Sequence, residues 1–425
     1  MNHLRFGSFA PRALVVTCVA ALAMSGCGGG GGGPAGTSAT AGTSNNMPPP
    51  PPPPPQNVVA VVVDSGPTGA SGIVNTPYIS VTVCVHGTST CQTIDHVSVD
   101  TGSTGLRIIS SVLTPAMASA LPQAQDAQGR PLVECIRFAD GFSWGPVTAA
   151  DVQIGGEQVA NLPMQVIGSA SFSAVPSGCS SAGSEEDTVA TFGANAILGI
   201  EVFRQDCGSR CVTTAVPGMY YACPASGCTP TTVPLAAQVS NPVYLFPIDN
   251  NGTILDLPAV GASGAAQLTG SLIFGIDTQS NNMLGTATIL AVDPGTGNLT
   301  ATLNGQSLPD SFLDSGSNAY FFPDGTTPVC SSKVASGFYC PTGTQSLTAT
   351  LTSATGIVSD ISFLVANADT LFAAEPTFNA FSNLGAPSSQ PHSLDLGLPY
   401  FMGRRIYTAI ENSSTSGGTG PFVAF

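Results

Sequence analysis

The sequence predicts an all-β protein built as two similar lobes with a cleft between them. Three observations carry the prediction. Apolar and polar residues alternate with period two through much of the chain. Only 8% of the 425 residues are charged and 49 are glycine, a composition suited to short strands and tight turns outside the cytoplasm. A short aspartate motif also occurs twice, once in each half.

The first residues read as targeting rather than structure. Arg5 and Arg12 precede an apolar run, Ala13 to Ala23, too short to span a bilayer. It ends in Met24-Ser25-Gly26-Cys27, the pattern of a lipoprotein signal peptide over 1–26, with Cys27 as the acylated residue. Residues 27–56 carry Gly28 to Gly33 and Pro48 to Pro55 with almost no large apolar side chain, so they read as a disordered tether. Gly28 after the cysteine is not an acidic retention residue, which points to the outer membrane. No later segment is long and apolar enough for a transmembrane helix, so membrane attachment is expected through the N-terminal lipid only. Loss of Arg5 and Arg12 moves the net charge from −15 to −17, leaving no basic footprint for nucleic acid. A monomer is expected.

Residues 57–240 and 241–425 form the two expected lobes. In the first, Tyr78 to Val85 alternates strictly, turns at His86-Gly87 and returns from Cys91 to Val99. Cys135 to Phe142 and Trp144 to Ile154 read as the arms of a hairpin. In the second, Val243 to Phe246 and the segment after Asn251-Gly252 read as another hairpin, followed by strands at Leu272 to Gly275 and Leu299 to Leu303. Few helices are expected, first among them Thr114 to Ala124 and Ala366 to Phe372.

Twelve cysteines become ten once Cys18 and Cys27 are set aside. Cys84/Cys91, Cys207/Cys211, Cys223/Cys228 and Cys330/Cys340 lie close in sequence, and elimination leaves Cys135/Cys179. In an oxidising compartment this spacing favours disulfides. No Cys-x2-Cys or His-x3-His spacing supports zinc, so no metal and no other cofactor is expected.

The repeated motif is Val97-Ser98-Val99-Asp100-Thr101-Gly102-Ser103 and Ser311-Phe312-Leu313-Asp314-Ser315-Gly316-Ser317. Each copy is a strand that runs into Asp, a small hydroxyl residue, Gly and Ser. Two carboxyls held face to face share one proton, because both cannot ionise at close range. One can then act as base on a water while the other polarises a carbonyl. Gly102 and Gly316 permit the close approach, Ser103 and Ser317 can bond the outer carboxylate oxygens, and Thr101 and Ser315 can brace one turn against the other.

These residues resemble the pepsin-like aspartic proteases, and the similarity runs over most of residues 57–425. Phe138-Ala139-Asp140-Gly141 through Gly156 is similar to that family's flap hairpin, Ile197-Leu198-Gly199 to the segment under its first aspartate, and Arg404 to Phe425 to its last strands. The chain also resembles a bacterial group of uncharacterised lipoproteins known only by a domain of unknown function. The resemblance implies a bilobal acid-protease fold, catalytic Asp100 and Asp314, a protein or peptide substrate, and flap and cleft positions at Phe138, Asp140, Gly141 and Arg107. Three departures stand out. Phe138 replaces a flap tyrosine, Arg107 replaces a tryptophan, and Asp395 interrupts the second apolar-apolar-Gly.

Two other readings stay open. The departures suit an inactive surface module that binds peptide or glycan. Gly141-Phe142-Ser143-Trp144-Gly145 matches the Gly-x-Ser-x-Gly elbow of serine hydrolases, with His392 downstream, but that chemistry needs a strand-turn-helix. His86 and His96 read as structural, and Trp144 as hairpin packing.

Overall fold

Val58–Val63, a run of five valines and an alanine, is a strand that ties the two halves of the chain together. It pairs antiparallel with Pro77–Cys84 on one side and with Leu268–Phe274 on the other. β-branched side chains lose little by adopting a pleated, half-buried conformation. The computed structural model describes residues 56–139 and 141–425. The signal segment, the tether up to Pro55, Cys27 and Asp140 lie outside the described residues. Among those residues, strands form one sheet of 16, a second of 7 and a two-stranded hairpin. No described helix is long and apolar enough to cross a membrane.

The first hairpin forms where the alternation places it, with Pro77–Cys84 against Cys91–Asp100 and Cys84 opposite Cys91. Among the described residues five disulfides close, Cys84–Cys91, Cys135–Cys179, Cys207–Cys211, Cys223–Cys228 and Cys330–Cys340. Both expected helices are present but short. Pro115–Ala120 is capped by the Thr114 hydroxyl, which accepts from the Met117 amide, and Leu121-Pro122 follows it. Ala368–Ala374 is capped in the same way by Asn367.

Two expected hairpins differ. The arms of the first are Leu132–Arg137 and Gly141–Ile154, with Cys135 opposite Trp144. Its turn closes where the Phe138 amide meets the Gly141 carbonyl, so Ser143 is inside a strand and not at the tip. The Asn251-Gly252 hairpin does not form at all. Val243–Leu245 is a single 3-10 turn after Pro242, and Asn251 is committed elsewhere. Its amide donates to the Ile276 carbonyl at 2.8 Å and its carbonyl accepts the Ile276 N–H at 2.7 Å. Gly252–Leu257 pairs instead with Leu268–Phe274 and Arg404–Ala409.

The same crossed arrangement occurs once in each half. In the first, Ala196–Ile200 lies parallel to Cys91–Asp100 and antiparallel to Thr104–Ile109, so that it runs between the strand entering the Asp100 turn and the strand leaving it. In the second, Asp395–Leu396 lies between Gln306–Leu313 and Tyr320–Phe322 with the same two senses. Fully buried Leu106, Leu198 and Val99 fill the first unit, and Leu396, Leu394 and Tyr320 the second. Each such side chain contributes roughly 1.5–3 kcal/mol by leaving water. Both aspartate turns therefore stand on packed ladders rather than on free loops.

Candidate active site

Each turn first satisfies its own carboxylate. The Gly102 amide donates to Asp100 Oδ1 at 2.7 Å, and the Ser103 hydroxyl to Asp100 Oδ2. The second turn repeats this, with Gly316 N to Asp314 Oδ1 at 2.8 Å and Ser317 Oγ to Asp314 Oδ2 at 2.8 Å. Amide and hydroxyl donors fix each carboxyl plane before any substrate is considered.

The turns then hold each other through four reciprocal bonds. Thr101 N donates to Ser315 Oγ at 3.1 Å, and Ser315 N to Thr101 Oγ1 at 2.9 Å. The same hydroxyls donate onward, Thr101 to the Leu313 carbonyl at 3.2 Å and Ser315 to the Val99 carbonyl at 2.8 Å. Each hydroxyl thus serves one partner N–H and one partner C=O, a self-complementary brace with approximate two-fold symmetry.

The brace brings the acids together. A Cβ on Gly102 would lie 2.7–2.9 Å from the Asp314 carboxyl atoms, and one on Gly316 would lie 2.7 Å from Asp100 Oδ1. No side chain fits there, which is the physical demand for glycine at both positions. Asp100 and Asp314 are each 0% exposed. Burial, then the neighbouring charges of Asp100 and Asp395, push the Asp314 carboxyl well above the ordinary range.

A third carboxyl joins them. Ser317 Oγ lies 2.6 Å from Asp395 Oδ2 as well as 2.8 Å from Asp314. Asp395 is buried, and burial is also the main cause that raises its carboxyl above the ordinary range. Glu201, half-buried beside the first turn, accepts from the Thr104 hydroxyl. Burial, with a further contribution from Asp100, raises its carboxyl to about 7.

Of the flap and cleft positions inferred from sequence, Arg107 and Phe138 lie in the interior. Arg107 is 0% exposed and sealed in an ionic cluster. Its guanidinium donates to the Thr104 carbonyl at 2.6 Å, to Glu134 at 2.5 Å and to Asp206 at 3.4 Å, while Tyr220 donates to Asp206 at 2.7 Å. Burial, then Glu134, holds the Asp206 carboxyl well above its usual range. Phe138 is 4% exposed and packs edge-to-face on Phe192 at 5.8 Å. Lacking a hydroxyl to satisfy, it sits with Ile136 and Ile197 in an apolar cluster. Gly141 pairs with Ser184, and Phe142 with Glu185, which clamps the hairpin end. Glu134, Asp206 and Tyr220 gave no local signal in the sequence, whereas Asp395 had one in the broken apolar-apolar-Gly.

Ser143 is fully buried within its strand and donates to the Glu186 carbonyl at 2.6 Å. A strand-turn-helix elbow is not what surrounds it. His392 is exposed, and His86 pairs with Asp151 at 2.7 Å on the surface. Trp144 is buried against Tyr221 and donates to the Phe172 carbonyl. The ligand atoms of Cys330, Cys340 and Asp369 lie within 4.8 Å of one another, but both sulfurs are spent in a disulfide.

A small space adjoins the turns, and a wider one is lined by other segments. A cavity of about 40 Å³, room for a water or two, is walled by Thr101, Gly102, Glu201 and Leu313. A wider pocket of about 900 Å³ is lined by Ile73, Val74, Val334, Phe338, Phe372 and Phe378. Asn75, next in sequence to its wall residue Val74, donates to the carbonyls of Asn318 and Phe381 at 2.8 and 2.9 Å.

No curated protein matches the chain. Residues 53–425 match the family described as protein of unknown function (DUF3443), and the chain belongs to that family.

Proposed function

We propose that this DUF3443 protein is a cell-envelope aspartic endopeptidase of the pepsin-like bilobal type, anchored through a lipid on Cys27 and facing the periplasm or surface from the outer membrane. The observation that carries the reading is the pair of carboxyls presented by two braced turns, each closed by a glycine that its partner's carboxyl leaves no room to replace. In this reading Asp100 and Asp314 hold one proton between them, because two carboxyls at close range cannot both ionise. A water between them loses a proton to the ionised member as it attacks the peptide carbonyl, while the protonated member donates to the carbonyl oxygen. The tetrahedral gem-diol then collapses. One carboxyl gives its proton to the leaving nitrogen as the C–N bond breaks, and a gem-diol hydroxyl gives its proton to the other carboxylate as the product carboxyl forms. The dyad again holds one proton. Gly102 N, Gly316 N, Ser103 and Ser317 hold the carboxyl planes throughout. The pocket of about 900 Å³, whose wall includes Phe338, Phe372 and Phe378, would take bulky apolar side chains of a peptide.

One observation favours a second reading, a surface module that binds peptide or glycan without cutting it. The hairpin end is clamped and Phe138 is buried, so the position inferred for the flap offers no hydroxyl to organise a substrate.

The test is cleavage of a denatured protein by the purified full chain in detergent at mildly acid pH. The peptidase reading expects cleavage that pepstatin-type inhibitors block and that Ser143→Ala leaves intact. Cleavage indifferent to such inhibitors, or lost in folded Ser143→Ala, would refute it, and no cleavage by folded protein supports the binding module.

A further inference from the structure

The Asp314 side of the site contains a hydrogen-bonding conflict that the Asp100 side lacks. Ser317 Oγ is within hydrogen-bond distance of two carboxyl oxygens, Asp314 Oδ2 at 2.8 Å and Asp395 Oδ2 at 2.6 Å. A hydroxyl has one proton, so it can donate to only one of them. If both acids were ionised, one contact would set lone pair against lone pair in a buried site, and nothing would offset the cost.

The groups around Asp395 offer no other compensation. On the strand before it, Asp310 is exposed, and His392 on the approaching loop is exposed as well. Tyr320 and Tyr400, from the neighbouring strand and the short helix Leu398–Phe401, are buried and neutral. Arg404, the nearest cation along the chain, spends itself on the Tyr400 ring and carbonyl. Across the site stand Asp314 and Asp100, both acids. Among the described residues no Lys, Arg or His pairs with Asp395, and its Oδ1 has no hydrogen-bond partner. A bare carboxylate oxygen there would be far more costly than the bare carbonyl oxygen of a neutral acid.

We propose that Asp395 is a third member of the acid site, held protonated, which donates to Ser317 so that Ser317 donates to Asp314. The chain Asp395–Ser317–Asp314 is a proton-holding and positioning device. Its donor end polarises Ser317 and stabilises the ionised form of the dyad, and Asp395 stays neutral while that form is needed. When Asp395 loses its proton at higher pH, a second negative charge appears behind Asp314 and the working protonation state is lost. The direction of the Asp314 and Asp395 shifts, both upward through burial, agrees with this geometry. The idea rests on the dyad reading for its catalytic consequence, but the held proton can be measured without any activity.

The experiment compares the full chain with Asp395→Asn by infrared spectroscopy at neutral pH, with Asp310→Asn as an exposed control. Asparagine keeps the shape and supplies an N–H to Ser317. The wild type should show protonated-carboxyl absorption, one component of which Asp395→Asn loses and Asp310→Asn keeps. An unchanged band in folded Asp395→Asn would overturn the proposal. Should that variant not fold, carboxyl ¹³C NMR titration of the wild type decides the matter. An aspartate that remains protonated through neutrality, in addition to those of the dyad and of the Arg107 cluster, is expected, and its absence refutes the idea. Where cleavage is measurable, the alkaline limb of the pH profile should move up by about one unit in Asp395→Asn, with the acid limb unmoved. In Asp395→Leu, which lacks the donor, the acid limb should move up instead. Limbs that stay put in both variants would contradict the relay. Loss of the infrared band with no cleavage at all would sink the peptidase reading and leave the held proton standing.

Discussion

The two crossed units under Asp100 and Asp314 follow one plan, yet each buries a charge-bearing residue on the same rung and treats it differently. In the first unit the rung pairs Arg107 with Ile197, and in the second it pairs Phe321 with Asp395. Arg107 cannot shed its charge, so the fold brings Glu134 and Asp206 to it from 27 and 99 residues away. Asp395 can take up a proton, and the structure gives it only a serine hydroxyl. A buried cation requires imported partners, whereas a buried acid can be accommodated by protonation. The first rung serves stability, and the second is coupled to the acid site.

Stability measurements can break this contrast. The largest effect is expected for Arg107→Met, which leaves Glu134 and Asp206 buried without their cation. A loss of about 3–5 kcal/mol in urea unfolding is predicted, and a loss below about 1 kcal/mol would mean that the cluster is not the counterweight described. Comparable in size is Cys135→Ser, which opens the 44-residue loop at the hairpin clamp and should cost roughly 2–5 kcal/mol. Next come Thr101→Val and Ser315→Ala. Each removes one half of the reciprocal brace and should cost about 1–3 kcal/mol, with near-equal values and a double variant well short of their sum. Clearly unequal losses would show that the two turns do not lean on each other symmetrically.

The smallest effect is in pH dependence, and its sign is fixed. Asp314 and Asp395 are raised in the folded state, and Glu201 is raised from 4.5 to about 7. Between the unfolded carboxyl values near 4 and these higher ones, the unfolded chain releases protons that the folded chain retains. Stability should therefore be fully present at acid pH and decline as pH rises towards about 7. Asp395→Asn should flatten the slope by raising neutral-pH stability while leaving the acid value unchanged. A stability that climbs over that window would contradict the protonation pattern.

How much of this was legible in the sequence follows from distance along the chain. The aspartate turns were readable because each is a local motif, and the short disulfides because their cysteines are near neighbours. The all-β class followed from period-two alternation. The Arg107 cluster was not readable, since Glu134, Asp206 and Tyr220 lie on separate elements with no shared spacing. The Asn251-Gly252 turn misled because the Asn251 amide is taken by the Ile276 backbone, a tertiary contact that overrides turn chemistry. Phe138 and Arg107 were placed at the cleft by resemblance, and burial put both of them inside.

The most direct test of the central claim is quantitative cleavage of a denatured protein by the full chain and by its Asp100→Asn and Asp314→Asn variants, each checked for folding by circular dichroism. The account predicts hydrolysis by the wild type at mildly acid pH and a loss of about a thousandfold in both variants alike. Cleavage that survives in either variant would contradict it.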